Sequence, residues 1–200
     1  MVIAYHVTFA TYGFWLPNDP RGSNSDYVRA PHLWKFGGAT LTSSRKSVAN
    51  VPHDAALRAS AKRALTYPPV KFNGSQALSV GKGFASVIAK SGMTVFACAI
   101  LPCHAHLVIA RHSYRIEQVV NLLKGGATRQ LVADGLHPLA QFRNADGSFP
   151  SPWGRNCRKV FIDDEPHLVD EIDYVTKNPL KERKPRQKWS FVASVNVSGK

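Results

Sequence analysis

The order of secondary-structure signals predicts an α+β fold, with helices packed on an antiparallel sheet. Two observations carry this. Segments with strand composition and segments with helical period follow one another as strand, helix, strand, strand, helix, strand, helix. The two middle strands, "MTVFACAIL" and "HAHLVIARH", are separated only by Pro102-Cys103, a break short enough to make them an antiparallel hairpin.

The first strand is "VIAYHVTFATYG", rich in β-branched and aromatic residues and closed by the breakers of "LPNDPRGSNSD". From about Trp15 to Asn50 no period is sustained, and Gly, Pro, Ser and Asn are frequent, so residues 15–67 read as an insertion of loop and short helix in a single domain spanning 1–200. Within it, "HDAALRASAKRALT" has helical composition, with Ala56, Leu57, Ala59 and Ala64 expected inward and a stop before Tyr67-Pro68-Pro69. Asn73-Gly74 in "VKFNGSQALSV" predicts a hairpin turn, followed by the helix "GKGFASVIAKSG". In "RIEQVVNLLKGGATRQLVADG", Ile116, Val119, Val120, Leu123, Ala127 and Leu131 mark a buried stripe; Lys124 and Arg129 are expected outside it, and Gly125-Gly126 is a candidate kink. "CRKVFID" is a short strand, "DDEPHLVDEIDYVTKNP" a helix with an acidic start and a proline stop, and "KWSFVASV" a final edge segment.

Composition narrows the function classes. The 26 Lys and Arg against 13 Asp and Glu give a formal charge of +13, spread along the 200-residue chain, which favours a broad polyanion-binding face. The three cysteines, Cys98, Cys103 and Cys157, form no CxxC pair and leave one unpaired in any bridging scheme, as expected in a reducing compartment. No leader pattern or membrane-length apolar run occurs, so the expectation is a cytoplasmic, nucleoid-associated protein with no membrane partner.

Candidate chemistry centres on "LPCHAHLVI". Alternate strand residues share a face, so His104 and His106 point together, a spacing that suits two adjacent positions on a divalent metal. Spacing alone leaves a polar sheet face equally open. In the last helix, Leu168, Ile172 and Val175 mark the buried stripe, whereas Tyr174 shares the other face with Asp170 and Asn178. A surface tyrosine without a role fits that pattern as well.

Taken together, "LPCHAHLVI" and "GRNCRKVFIDDEPHLVDEIDYVTKNPLKE" resemble the His-hydrophobic-His motif and the later tyrosine helix of the single-tyrosine HUH endonucleases, the group of insertion-sequence transposases and REP-associated tyrosine transposases. The resemblance covers the first strand and roughly residue 93 onward. It implies a ferredoxin-like (RRM-like) sheet with the HUH strand central and the tyrosine helix laid against it. It also implies Mg²⁺ or Mn²⁺ held by His104, His106 and Asn178, with Tyr174 attacking a DNA phosphodiester to leave a 5′-phosphotyrosine and a free 3′-hydroxyl. The implied partner is single-stranded DNA with hairpin or palindromic sequence, and a homodimer is compatible with it. Arg111, Arg129, Arg155, Arg158 and Lys159 are then candidates for phosphate contacts and Trp153 for base stacking. Two positions depart from the pattern. Cys103 stands where relatives carry a polar residue and is read as a buried thiol rather than a metal neighbour, and Asn178 precedes Pro179, which disfavours helical geometry there. Two alternatives stay open: a catalytically silent hairpin-DNA-binding protein, and a two-histidine RNA phosphoesterase suggested by "HVTF" at His6 to Phe9, whose expected second copy is absent.

Overall fold

The computed structural model describes residues 1–42 and 48–193. Four strands form the sheet: β1 (Ala4–Ala10), β2 (Val95–Ile100), β3 (His104–Ala110) and β4 (Arg158–Ile162). They are ordered β2-β3-β1-β4 and every neighbouring pair is antiparallel, which is the ferredoxin-like arrangement with β3 in the interior. The helices are α1 (Ala55–Arg63), α2 (Gly74–Ser91), α3 (Ile116–Ala133) and α4 (Glu165–Lys181).

Strand alternation divides the sheet into two unlike faces. Val7 and Phe9 of β1, Cys98 and Ile100 of β2, and Ala105, Leu107 and Ile109 of β3 are buried on one face with Val80, Phe84, Val119, Leu123 and Leu131 from α2 and α3. A fully buried Leu or Ile contributes about 1.5–3 kcal/mol, so this is the face that holds the fold together. The other face carries Ala4, Ala97, Ala99, Val108 and Ile162, which meet Leu168, Ile172 and Val175 of α4. Alanines at three of these positions let α4 lie close to the strands.

Several expectations are corrected. Asn73-Gly74 is no hairpin turn: Asn73 caps α2, its side chain accepting from the Gln76 N–H while the Gln76 side chain accepts from the Asn73 N–H. Lys124 is buried rather than outward, because its ammonium donates to the carbonyls of Gly154, Arg155 and Asn156. Continuous helix runs through Gly125-Gly126, and the small residues serve the crossing of α2 and α3, where a Cβ on Gly83 would come within 2.6 Å of the Ala127 Cα. Helix α1 buries only Ala61; Leu57 is exposed and Ala56 faces solvent. Helix α4 continues past Pro179 to Lys181, since a proline this near the end removes few backbone bonds.

Trp153, expected as a stacking platform, is 4% exposed and packs edge-on against Phe9 and Phe72, so its ring is closed to bases. The C-terminal segment does follow a sheet edge. The Gln187 amide exchanges hydrogen bonds with both backbone groups of Ile100, and the Ala193 N–H donates to the Val95 carbonyl; residues 194–195 of the expected segment lie outside the described residues. Among the described residues no helix is long and apolar enough to cross a membrane.

Candidate active site

The α4 face of the sheet becomes polar toward one end of β1 and β3. Register sets Thr8 opposite His106 and Ala10 opposite His104, while His6 lies opposite Val108. His6, Thr8, His104 and His106 therefore share the face on which α4 lies. The imidazoles of His104 and His106 have ring centroids 4.8 Å apart. Tyr174 closes the group from α4, with its ring 5.9 Å from that of His106 and 5.7 Å from that of His6. Its hydroxyl makes no hydrogen bond among the described residues, and the Lys181 ammonium sits 3.8 Å from the ring centre.

The electrostatics favour neutral imidazoles. Burial pulls His104 down to about 4. Burial first, then the nearby His104, His6, Lys181 and Arg158, hold His106 well below the ordinary histidine range. At neutral pH each ring thus offers a lone pair without competition from a proton. His104 packs flat on Phe14, with ring centroids 5.5 Å apart and planes 8° off parallel, and its buried Nδ1 has no hydrogen-bond partner among the described residues. An orphaned imidazole nitrogen beside a second neutral imidazole is a donor set that fits a divalent cation. Among the described residues no trio of His, Cys, Asp and Glu side chains is grouped to hold an ion, so the two histidines would need further oxygen donors.

The other predicted residues divide. Asn178 is buried, 6% exposed, with Val175 and Pro179, and so lies toward the sheet rather than on the solvent face with Asp170; its side chain makes no hydrogen bond among the described residues. Arg158 pairs with Thr8 in register and acts on His106 electrostatically, which places it by the cluster. Lys159 pairs with Val7, points to the opposite face and is salt-bridged to Glu117. With Arg155 it lines an open cleft of about 470 Å³ bounded by Asn24, Asp26, Asn121 and Cys157. Arg111 and Arg129 are exposed and lie outside the cluster. Cys103 is half-buried, and burial raises its thiol, as expected of a structural cysteine.

Glu171, Lys181 and Phe14 are not singled out by sequence, and His6 and Thr8 belong there to a competing motif. His6 Nδ1 donates to Glu171 Oε2 at 2.6 Å, and His6 Nε2 lies 2.9 Å from His106 Nδ1. The His6 hydrogen bond holds the Glu171 carboxyl below the usual range, so it is ionised. The available signals were the alternation of His6 with Thr8 and the spacing of Glu171 one turn before Tyr174; both needed the strand register to be read.

No protein-family model matches the chain, and no curated protein matches it. Among solved structures it is similar to a REP-associated tyrosine transposase bound to a REP hairpin, with 12% identity, 94% of this chain and 74% of that chain covered, and a TM-score of 0.48. It is also similar to a transposase candidate from Deinococcus radiodurans, with 11% identity, 92% of each chain covered and a TM-score of 0.43.

Proposed function

We propose that the protein is a metal-dependent single-stranded DNA endonuclease and strand transferase of the HUH transposase type. One observation carries the reading: a tyrosine whose hydroxyl makes no hydrogen bond among the described residues stands against His106, which is itself adjacent to a second neutral imidazole, His104, on a different element of the chain. Two of the donors for Mg²⁺ or Mn²⁺ would be His104 and His106, and the third the Asn178 amide oxygen. When bound there, the cation would supply Lewis acidity toward the scissile phosphate.

The chain's own residues account for the rest. The Tyr174 hydroxyl oxygen attacks phosphorus and gives up its proton, the bond to the 3′-oxygen breaks, and that oxygen takes up one proton in exchange, leaving a 5′-phosphotyrosine and a free 3′-hydroxyl. The Lys181 ammonium, 3.8 Å from the Tyr174 ring centre, puts a fixed positive charge beside the attacking oxygen. Arg158 and Lys181 add positive charge where the phosphate backbone would lie. The partner is single-stranded DNA bearing a hairpin or palindrome. Two subunits are not needed to assemble the cluster, since His6, His104, His106 and Tyr174 come from one chain.

The two-histidine phosphoesterase reading fits less well. That chemistry needs an acid and a base on opposite sides of a phosphate. Here the nitrogens of His6 and His106 lie 2.9 Å apart and engage each other.

The test is a denaturing gel of protein incubated with labelled hairpin-bearing single strands and Mn²⁺. A covalent protein–DNA band is expected from the wild type and not from Tyr174→Phe, which should still bind the hairpin. An equal band in the variant overturns the assignment of Tyr174, and hairpin binding with no band from the wild type favours the silent DNA-binding alternative.

A further inference from the structure

A chain of hydrogen bonds runs from α4 through β1 to β3. The Glu171 carboxylate is held between two rings: His6 Nδ1 at 2.6 Å from Oε2, and His167 Nε2 at 3.6 Å from Oε1. The far side of His6 meets His106, Nε2 to Nδ1 at 2.9 Å, and the Thr8 hydroxyl lies 2.9 Å from that same Nδ1. Nδ1 of His106 is thus engaged twice within the protein, and Nε2 makes no hydrogen bond among the described residues. Side-chain exposure is 7% at His6 and 19% at Glu171, so the chain is shielded from water.

We propose that Glu171 and His6 are positioning residues that fix the orientation and the proton-bearing nitrogen of His106, leaving Nε2 as the nitrogen presented to a divalent cation. The inference rests on reading His104 and His106 as ligands. Its logic is the direction of hydrogen bonding. An ionised carboxylate only accepts, so Glu171 requires the proton of His6 on Nδ1. A neutral imidazole carries a single proton, so in that form His6 Nε2 only accepts, and the 2.9 Å contact then requires the proton of His106 on Nδ1, where the Thr8 hydroxyl also lies within reach. The lone pair of His106 is left on Nε2. Outer partners of this kind set the tautomer and ring angle of a ligating histidine, and their loss costs about 10- to 100-fold in metal affinity. A glutamine at 171 both donates and accepts, so it removes the constraint without changing the volume of the side chain.

The experiment pairs two readouts. In metal-free protein labelled with ¹⁵N, the ring-nitrogen shifts of His106 should report a proton on Nδ1 in the wild type and a mixture of the two forms in Glu171→Gln. Mn²⁺ titration followed by electron paramagnetic resonance should show binding about 10- to 100-fold weaker in Glu171→Gln and in His6→Phe. A wild-type proton on Nε2, or Mn²⁺ affinity unchanged in Glu171→Gln, overturns the proposal. His104→Ala with undiminished Mn²⁺ affinity overturns the two-histidine metal reading instead, and the ring-nitrogen shifts still decide whether Glu171 and His6 orient His106.

Discussion

Lys124 offers a test of how the fold holds the segment leading into β4. Its ammonium is 7% exposed and donates to three consecutive carbonyls, Gly154 at 2.8 Å, Arg155 at 3.1 Å and Asn156 at 3.3 Å. Burial pulls it from 10.5 to about 8. Between those values the unfolded chain holds the proton that the folded chain has lost, so folding stability rises with pH across that window. The full gap from 10.5 to about 8, at ~1.36 kcal/mol per pH unit, sets a ceiling of about 3 kcal/mol. The three carbonyls favour the charged form and reduce it, so about 1 kcal/mol is expected between roughly pH 8 and pH 9.5. Urea unfolding followed by tryptophan fluorescence, on the wild type and on Lys124→Met, isolates this contribution, because every other group titrates in both proteins. The wild-type stability minus that of the variant should climb by that amount across the interval. A flat or falling difference refutes the claim that burial governs this lysine.

Three further outcomes are expected. Tyr174→Phe removes a hydroxyl with no hydrogen bond among the described residues and keeps the ring beneath Lys181, so its unfolding free energy should match that of the wild type within about 0.5 kcal/mol; a larger loss in urea denaturation means that the hydroxyl has a structural partner. Gly83→Ala drives a Cβ into the backbone of α3 at Ala127 and should cost about 2 kcal/mol in the same assay, despite the better helix propensity of alanine. Asn178→Ala breaks no hydrogen bond among the described residues, so hairpin binding should persist while Mn²⁺ affinity falls; unchanged affinity by calorimetry removes Asn178 from the ligand set.

What the sequence made legible follows from which signals are local. Strand alternation in "HAHLVIA" fixes that His104 and His106 share a face opposite Ala105, Leu107 and Ile109, and the structure has that division. Asn73-Gly74 is ambiguous in sequence because asparagine serves a turn and a helix cap equally well; the distinguishing residue is Gln76, at the capping-box position. Helical period placed Lys124 beside the buried stripe, but only a distant loop could supply the three carbonyls that let a charged group stay there. Trp153 was similarly opaque, since in a turn-rich segment nothing local shows that the ring reaches Phe9, Phe72 and Phe84.

The candidate site shows the same limit at its most consequential point. His6 and His106 are separated by a hundred positions in sequence, and the contact between them exists because β1 and β3 pair with Thr8 opposite His106. Shifting that register by one residue would turn His6 and Thr8 to the face of α2 and α3, away from Glu171 and into an apolar core. Glu171 depends in turn on how α4 crosses the sheet, which Ala4, Ala97 and Ala99 permit by leaving room for it. Replacing Ala99 by Leu should therefore act at a distance, lifting α4 and lengthening the Glu171–His6 hydrogen bond without touching either residue. Mn²⁺ affinity and the His106 ring-nitrogen shifts should change together in that variant. If only stability changes, the packing of α4 and the orientation of His106 are independent, and the alanines serve the fold alone.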